Sequence, residues 1–134
     1  PTTSLSVVHA SRSSDEELLW PSADDDSFRA ALGSGGVRGY AHIHHQLIRR
    51  TTDTVYFNTG SVGFPFDGDP RAGYAMVLDD GDGVRVDLVR VQYDRGPTIR
   101  ELKAMDVPWK AYILAALTQA LAFFSPRLRL PAKE

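Results

Sequence analysis

Apolar and polar positions along this chain change their period once, near Gly96-Pro97. Before that point the spacing is that of strands. Leu5 to His9 predicts a short apolar strand ending in a histidine. Val37 to His42, Gln46 to Thr51 and Thr54 to Phe57 predict three more, the last two joined as a hairpin at Thr52-Asp53. Gly73 to Leu78 and Val84 to Val91 flank Asp79-Asp80-Gly81-Asp82-Gly83, a strong hairpin signal. In the last of these Val84, Val86 and Leu88 alternate with Arg85 and Asp87, which predicts one buried and one wet face. A short helix, Ser27 to Leu32, follows the carboxylates Asp24 to Asp26, which suit a positive helix N-terminus, and Gly33-Ser34-Gly35-Gly36 stops it. Ala10 to Ala23 is a polar loop holding Trp20-Pro21, and Gly60 to Arg71 is a loop rich in glycine and proline.

After Gly96-Pro97 the period becomes helical. Thr98 to Met105 and Pro108 to Phe123 predict two helices, with Pro108 at a first helical position. Leu114, Leu117, Leu121 and Phe124 fall at helical spacing, with alanines between them, as in a helix packed on a sheet. Arg127 to Glu134 is charged, bounded by proline, and expected to be loose. Residues 1–96 and 97–134 read as two portions of one domain, since 134 residues is the length of a single domain. The first predicted strand starts almost at Pro1 with no initiating Met, which is the expectation for a piece of something longer.

Composition narrows the function classes. The chain is 43% hydrophobic and 24% charged, and 15 basic against 17 acidic residues give a net charge of −2. That balance gives no strong nucleic-acid signal. No apolar run reaches the ~20 residues needed to cross a bilayer, so no membrane role and a cytoplasmic location are expected. With no cysteine, a metal site here must use histidine, carboxylate or amide ligands.

The candidate chemistry lies in four segments. They are His9; Ala41-His42-Ile43-His44; Asn58-Thr59-Gly60-Ser61-Val62-Gly63; and Asp67-Gly68-Asp69-Pro70-Arg71-Ala72-Gly73-Tyr74-Ala75. Two imidazoles at i and i+2 on a strand would point to one side of a sheet. A histidine at a strand end is otherwise a hydrogen-bonded structural residue, and His45, pointing the other way, reads as surface. Asn58 and Ser61 either border a pocket or shape their turn through side-chain hydrogen bonds. Arg71 either reaches an anion or pairs with Asp67 or Asp69. Trp20, Phe64 and Phe66 are candidates to line a pocket.

In this order and spacing, these segments, with the closing Arg90-Val91-Gln92-Tyr93-Asp94, resemble the C-terminal half of calcineurin-like metallophosphoesterases, in particular the small bacterial phosphodiesterase-type members. The resemblance implies an α+β fold, part of a four-layer αββα sandwich with mixed or antiparallel sheets and flanking helices. This chain would supply most of one sheet and its covering helices, and would leave the inner face of that sheet bare. It implies two divalent metal ions (Mn, Fe, Ni or Zn), His9 and His42 on one and His44 on the other. Such a pair clamps a phosphoryl group and activates a water for attack on phosphorus. Each ring would need its second nitrogen held by a carbonyl or carboxylate.

Ala41, Ile43 and Thr59 differ from the family's glycine, small polar residue and proline. The family's Asp-x-His, Gly-Asp-x-x-Asp and Gly-Asn-His motifs do not occur in these residues. The expected function is therefore metal-dependent hydrolysis of a phosphate ester by a parent protein of which this chain is an incomplete half, weak in metal binding and catalysis alone. Its expected partners are a phosphate-ester substrate and either the missing N-terminal half or another copy of the chain. The competing readings are a non-catalytic half-fold serving binding or assembly, and a sparse metal-binding domain with no hydrolase role.

Overall fold

The computed structural model describes residues 3–122 and 127. Its elements in chain order are β1 (Leu5–Val7), α1 (Asp25–Leu32), β2 (Gly36–Tyr40), β3 (Gln46–Arg50), β4 (Thr54–Thr59), β5 (Ala72–Asp79), β6 (Val84–Val91), α2 (Gly96–Ala104) and α3 (Lys110–Gln119). Four strands form one mixed sheet in the order β1-β2-β4-β3. In it β1, β2 and β4 run parallel and β3 runs antiparallel to β4. The hairpin β5-β6 is a second, antiparallel sheet.

Each face of the four-stranded sheet has its own core. On one face α1 buries Phe28, Ala31 and Leu32 against Tyr40, Ile43, Tyr56 and Leu19. The two buried phenols are satisfied: Tyr40 donates to the Leu19 carbonyl (2.9 Å) and Tyr56 to that of Gly33 (2.9 Å). Burial pushes the Tyr40 phenol above its usual range. The helix begins where its sequence dictates, with Asp24 accepting from the Ser27 N–H at 2.9 Å. On the other face Val37 and Phe57 meet Val86 of the hairpin, with Val55, Ala75, Val77 and Val84 around them. The alternation predicted for β6 thus turns Val86 inward, and the two sheets stack face to face as a sandwich.

Gln46 stitches the two sheets together. Its side-chain amide donates toward the carbonyls of Thr59, Tyr74 and Val89, at 3.1, 3.1 and 3.2 Å. Two glycines make room for it. A Cβ on Gly60 would stand 2.6 Å from Gln46 Cγ, and one on Gly73 would stand 2.9 Å from Gln46 Nε2.

The α+β class and the sandwich follow the sequence expectation, and four details differ. The chain contributes strands to both sheets, not most of one. The inner face of the larger sheet is most open over β1, where Leu5 and Val7 share the side of Val37 and are 53% and 61% exposed. The strands ending at His9 and His42 stop earlier, at Val7 and Tyr40. The last helix is shorter: Trp109, in the left-handed region at φ 61°, precedes it, and Ala120, at φ 55°, ends it. Pro108 therefore lies before the helix rather than at its first position. Leu121 forms an antiparallel bridge with Asp67 instead of extending the apolar stripe. Phe124 and nearly all of the tail expected to be loose lie outside the described residues. No helix among the described residues is long and apolar enough to cross a membrane.

Candidate metal centre

Three parallel strands deliver their carboxyl ends to the same edge of one sheet, the place where open α/β sheets bind ligands. His9 lies two residues past β1 and His42 two residues past β2, and Asn58 is near the end of β4. Val8 donates to the Gly39 carbonyl (3.1 Å) and Ala41 to that of His9 (2.9 Å), so the two chain exits stay paired beyond the strands. As a result His9 Nε2 and His42 Nδ1 stand 3.0 Å apart, with their rings edge-on.

The backbone reaches this geometry by a route the spacing did not show. His42 and His44 are not on a strand. Both sit in the left-handed region, at φ 59° and 57°, within the turn that links β2 to β3. The same-side argument for residues i and i+2 therefore does not apply. Left-handed backbone costs about 1–2 kcal/mol for a residue with a Cβ. Histidine tolerates it better than branched residues do, and such strain gathers at functional sites.

Packing holds the turn in place. Ile43 between the two histidines is buried in the α1 core. Asn58 is fully buried, and its amide bridges two backbone groups. It donates to the Ala41 carbonyl (2.6 Å) and accepts from the Gly60 N–H (2.9 Å).

His44 is held separately. Its Nδ1 lies 2.7 Å from the Phe64 carbonyl oxygen, which carries no hydrogen, so Nδ1 is the donor. In the neutral ring Nε2 then presents its lone pair. Phe66 stacks on the same ring (5.0 Å between centroids, 24°), and its N–H donates to the His44 carbonyl at 3.0 Å. Trp20 meets His45 edge-on at 5.5 Å, and burial lowers the His45 pKa.

The remaining predicted residues serve the loops. Ser61 Oγ accepts from the Phe64 N–H at 3.0 Å. Arg71 pairs with Asp69, Nη2 to Oδ2 at 2.6 Å, and holds that carboxyl down at about 2. Asn58, Ser61 and Arg71 are thus all engaged in shaping the segments around the histidines. The sequence reading weighed Asp67 only as a partner for Arg71; its carboxylate pairs instead with Arg90 of β6 and accepts from the Gln46 N–H (2.9 Å). Asp67 lies in the loop before β5 and Arg90 on β6, so no local pattern in the sequence links the two.

The 3.0 Å between His9 Nε2 and His42 Nδ1 is a hydrogen-bond distance, and as donor types these imidazoles suit a first-row divalent cation. Two nitrogen ligands at about 2.1 Å from one ion and at right angles stand about 3 Å apart, which is the His9 to His42 separation. His44 already has its second nitrogen held by a carbonyl, as metal-bound imidazoles do. Among the described residues, no group of three or more His, Asp or Glu side chains gathers closely enough to hold an ion by itself.

No protein-family model matches the chain, and no curated protein matches it by sequence. Solved structures do. A metallophosphoesterase from Sphaerobacter thermophilus aligns with a TM-score of 0.65 and 21% identity, over 90% of this chain and 58% of that one. A hypothetical protein from Pyrococcus horikoshii OT3 aligns with a TM-score of 0.69 and 18% identity, over 88% of this chain and 47% of that one. The fold is metallophosphoesterase-like, and the chain spans about half the length of these structures.

Proposed function

We propose that this chain is the carboxyl-terminal half of a dinuclear metallophosphoesterase of the calcineurin-like, small phosphodiesterase type. It would hydrolyse a phosphodiester or phosphomonoester in the cytoplasm. The observation that carries this reading is the approach of His9 to His42 beyond two parallel strands, with His44 two residues further along the chain and its Nε2 preset by the Phe64 carbonyl. In this reading His9 and His42 hold one ion and His44 holds the other. When bound, a pair of Mn, Fe, Ni or Zn ions supplies Lewis acidity toward a phosphoryl oxygen and lowers the pKa of a bound water.

The chain's own residues orient and enclose the site. Asn58 fixes the turn carrying His42 and His44. Phe64 and Phe66 flank the His44 ring, and Trp20 packs against the neighbouring His45. The carboxylate and amide ligands that would complete both ions, with the Asp-x-His, Gly-Asp-x-x-Asp and Gly-Asn-His motifs, would be supplied by an N-terminal half of the protein or by another chain.

In the complete protein, His42→Ala and His44→Ala are each expected to abolish manganese-dependent hydrolysis of a generic phosphodiester, with an unchanged circular dichroism spectrum. Retained activity in either variant rules out these ligand roles. A reading frame that begins at this chain and pairs with no second chain favours the non-catalytic half-fold instead. The absence of a self-sufficient ligand cluster among the described residues is what keeps that second reading in view.

A further inference from the structure

We infer that Asp67 is a positioning residue for His44: its carboxylate fixes the loop whose Phe64 carbonyl selects the ring's metal-binding tautomer. The inference rests on the ligand role proposed for His44 and extends it to a residue with no donor in the site.

The coupling is a short chain of contacts. Among the described residues, the Phe64 to Phe66 segment supplies the contacts to His44: the 2.7 Å hydrogen bond from Nδ1, the Phe64 and Phe66 rings, and the Phe66 N–H bond to the His44 carbonyl. That segment is anchored at both ends. At its start Ser61 Oγ accepts from the Phe64 N–H. At its end stands Asp67, and the Asp67 anchor is the more heavily built of the two.

Asp67 Oδ2 accepts from the Gln46 N–H, two residues beyond His44, and Oδ1 accepts from the Asp69 N–H at 3.3 Å. Arg90 pairs with Asp67 from the second sheet, and also donates to the carbonyls of Asp69 (3.2 Å) and Arg71 (3.1 Å). Both side chains of the pair are only 12% exposed. The adjoining Gly68 N–H donates to the Ala120 carbonyl at 2.8 Å. The Asp67 carboxylate thus ties the loop to the strand that follows the histidines and to the second sheet, and the adjoining Gly68 N–H ties it to the end of α3.

A carbonyl can only accept, so while Phe64 O stays in place the proton stays on Nδ1 and the lone pair stays on Nε2. Once the loop shifts, the carbonyl's hold on the Nδ1–H form is released. The fraction of protein ready to bind a cation through Nε2 then falls. Groups that orient a ligating imidazole typically change metal affinity 10–100-fold when removed.

The test uses the complete protein, metal-free, with 15N-labelled histidine, at a pH where imidazole is neutral. Long-range 1H–15N correlation is expected to show His44 as the Nδ1–H tautomer in the wild type. In Asp67→Ala the Nε2–H form is expected to appear, and the Zn2+ dissociation constant to rise about 10–100-fold. A His44 ring that stays fully Nδ1–H, with Zn2+ affinity within about twofold, overturns the inference. Should Asp67→Ala fail to fold, Asp67→Asn and Arg90→Gln carry the same reading. A partial loss of Nδ1–H supports the inference, and an unchanged tautomer sinks it. His44→Ala separates this from the proposal it rests on. If that variant binds Zn2+ as the wild type does while Asp67→Ala still moves the tautomer, the ligand role fails and the positioning link stands.

Discussion

At the scale of single residues, the site is a matter of where amides and imidazoles are pinned. Asn58 has no solvent access, and both ends of its side chain serve the backbone. Replacing it with alanine leaves the Ala41 carbonyl and the Gly60 N–H without their partner. Asn58→Ala is expected to lower stability by about 2–3 kcal/mol, read from urea unfolding with an unchanged slope. A loss below ~0.5 kcal/mol would show that water takes over both groups. The three histidines stand as candidates on residue type and order alone. Their conformation was not, because nothing in a run of Ala-His-Ile-His announces left-handed backbone at non-glycine positions. The partner of His44 was equally hidden, since a main-chain carbonyl carries no sequence signature.

At the scale of elements, the local signals that were read correctly are those with a local physical cause. Asp24 caps α1 because its side chain reaches an N–H three residues on. The acidic glycine turn after β5 makes a hairpin because glycine enters the left-handed region there, Gly81 at φ 87°. The end of α3 was misread because Ala120 terminates it without a glycine, and an alanine-rich run shows no break in period. The contact between sheets was also out of reach, since Gln46 looks like any polar strand residue. Its two facing glycines make it testable. Gly73→Ala is expected to destabilise by about 1–3 kcal/mol through overpacking against the amide and the Thr59 carbonyl. Gly60→Ala adds strain at φ 74° to a 2.6 Å clash and is expected to cost at least as much. Thermal unfolding of the two variants checks the order.

At the scale of the whole molecule, the sequence foretold the sandwich but not how its strands divide between two sheets, because alternation sets which face is buried and not which partner buries it. Two of the apolar areas left open lie on strands. One is Leu5 and Val7 on the edge strand β1; the other is Tyr74, Met76 and Leu78 on the outer side of the hairpin. An edge strand with exposed apolar side chains invites pairing. The isolated 134-residue chain is expected to self-associate at tens of micromolar or above, and Val7→Lys with Met76→Lys to shift it toward monomer in sedimentation velocity. A monodisperse wild-type monomer at high concentration would count against an incomplete surface.

The left-handed turn has a last consequence, for mutational drift. Residues that inhabit that backbone region readily are glycine, asparagine and aspartate. At positions 42 and 44 an aliphatic replacement is therefore penalised by conformation before any loss of chemistry is felt. Two of the three tolerated replacements carry oxygen donors. On the ligand roles proposed above, a lineage wandering away from imidazole here would pass through harder donors, of the kind that suit magnesium or calcium.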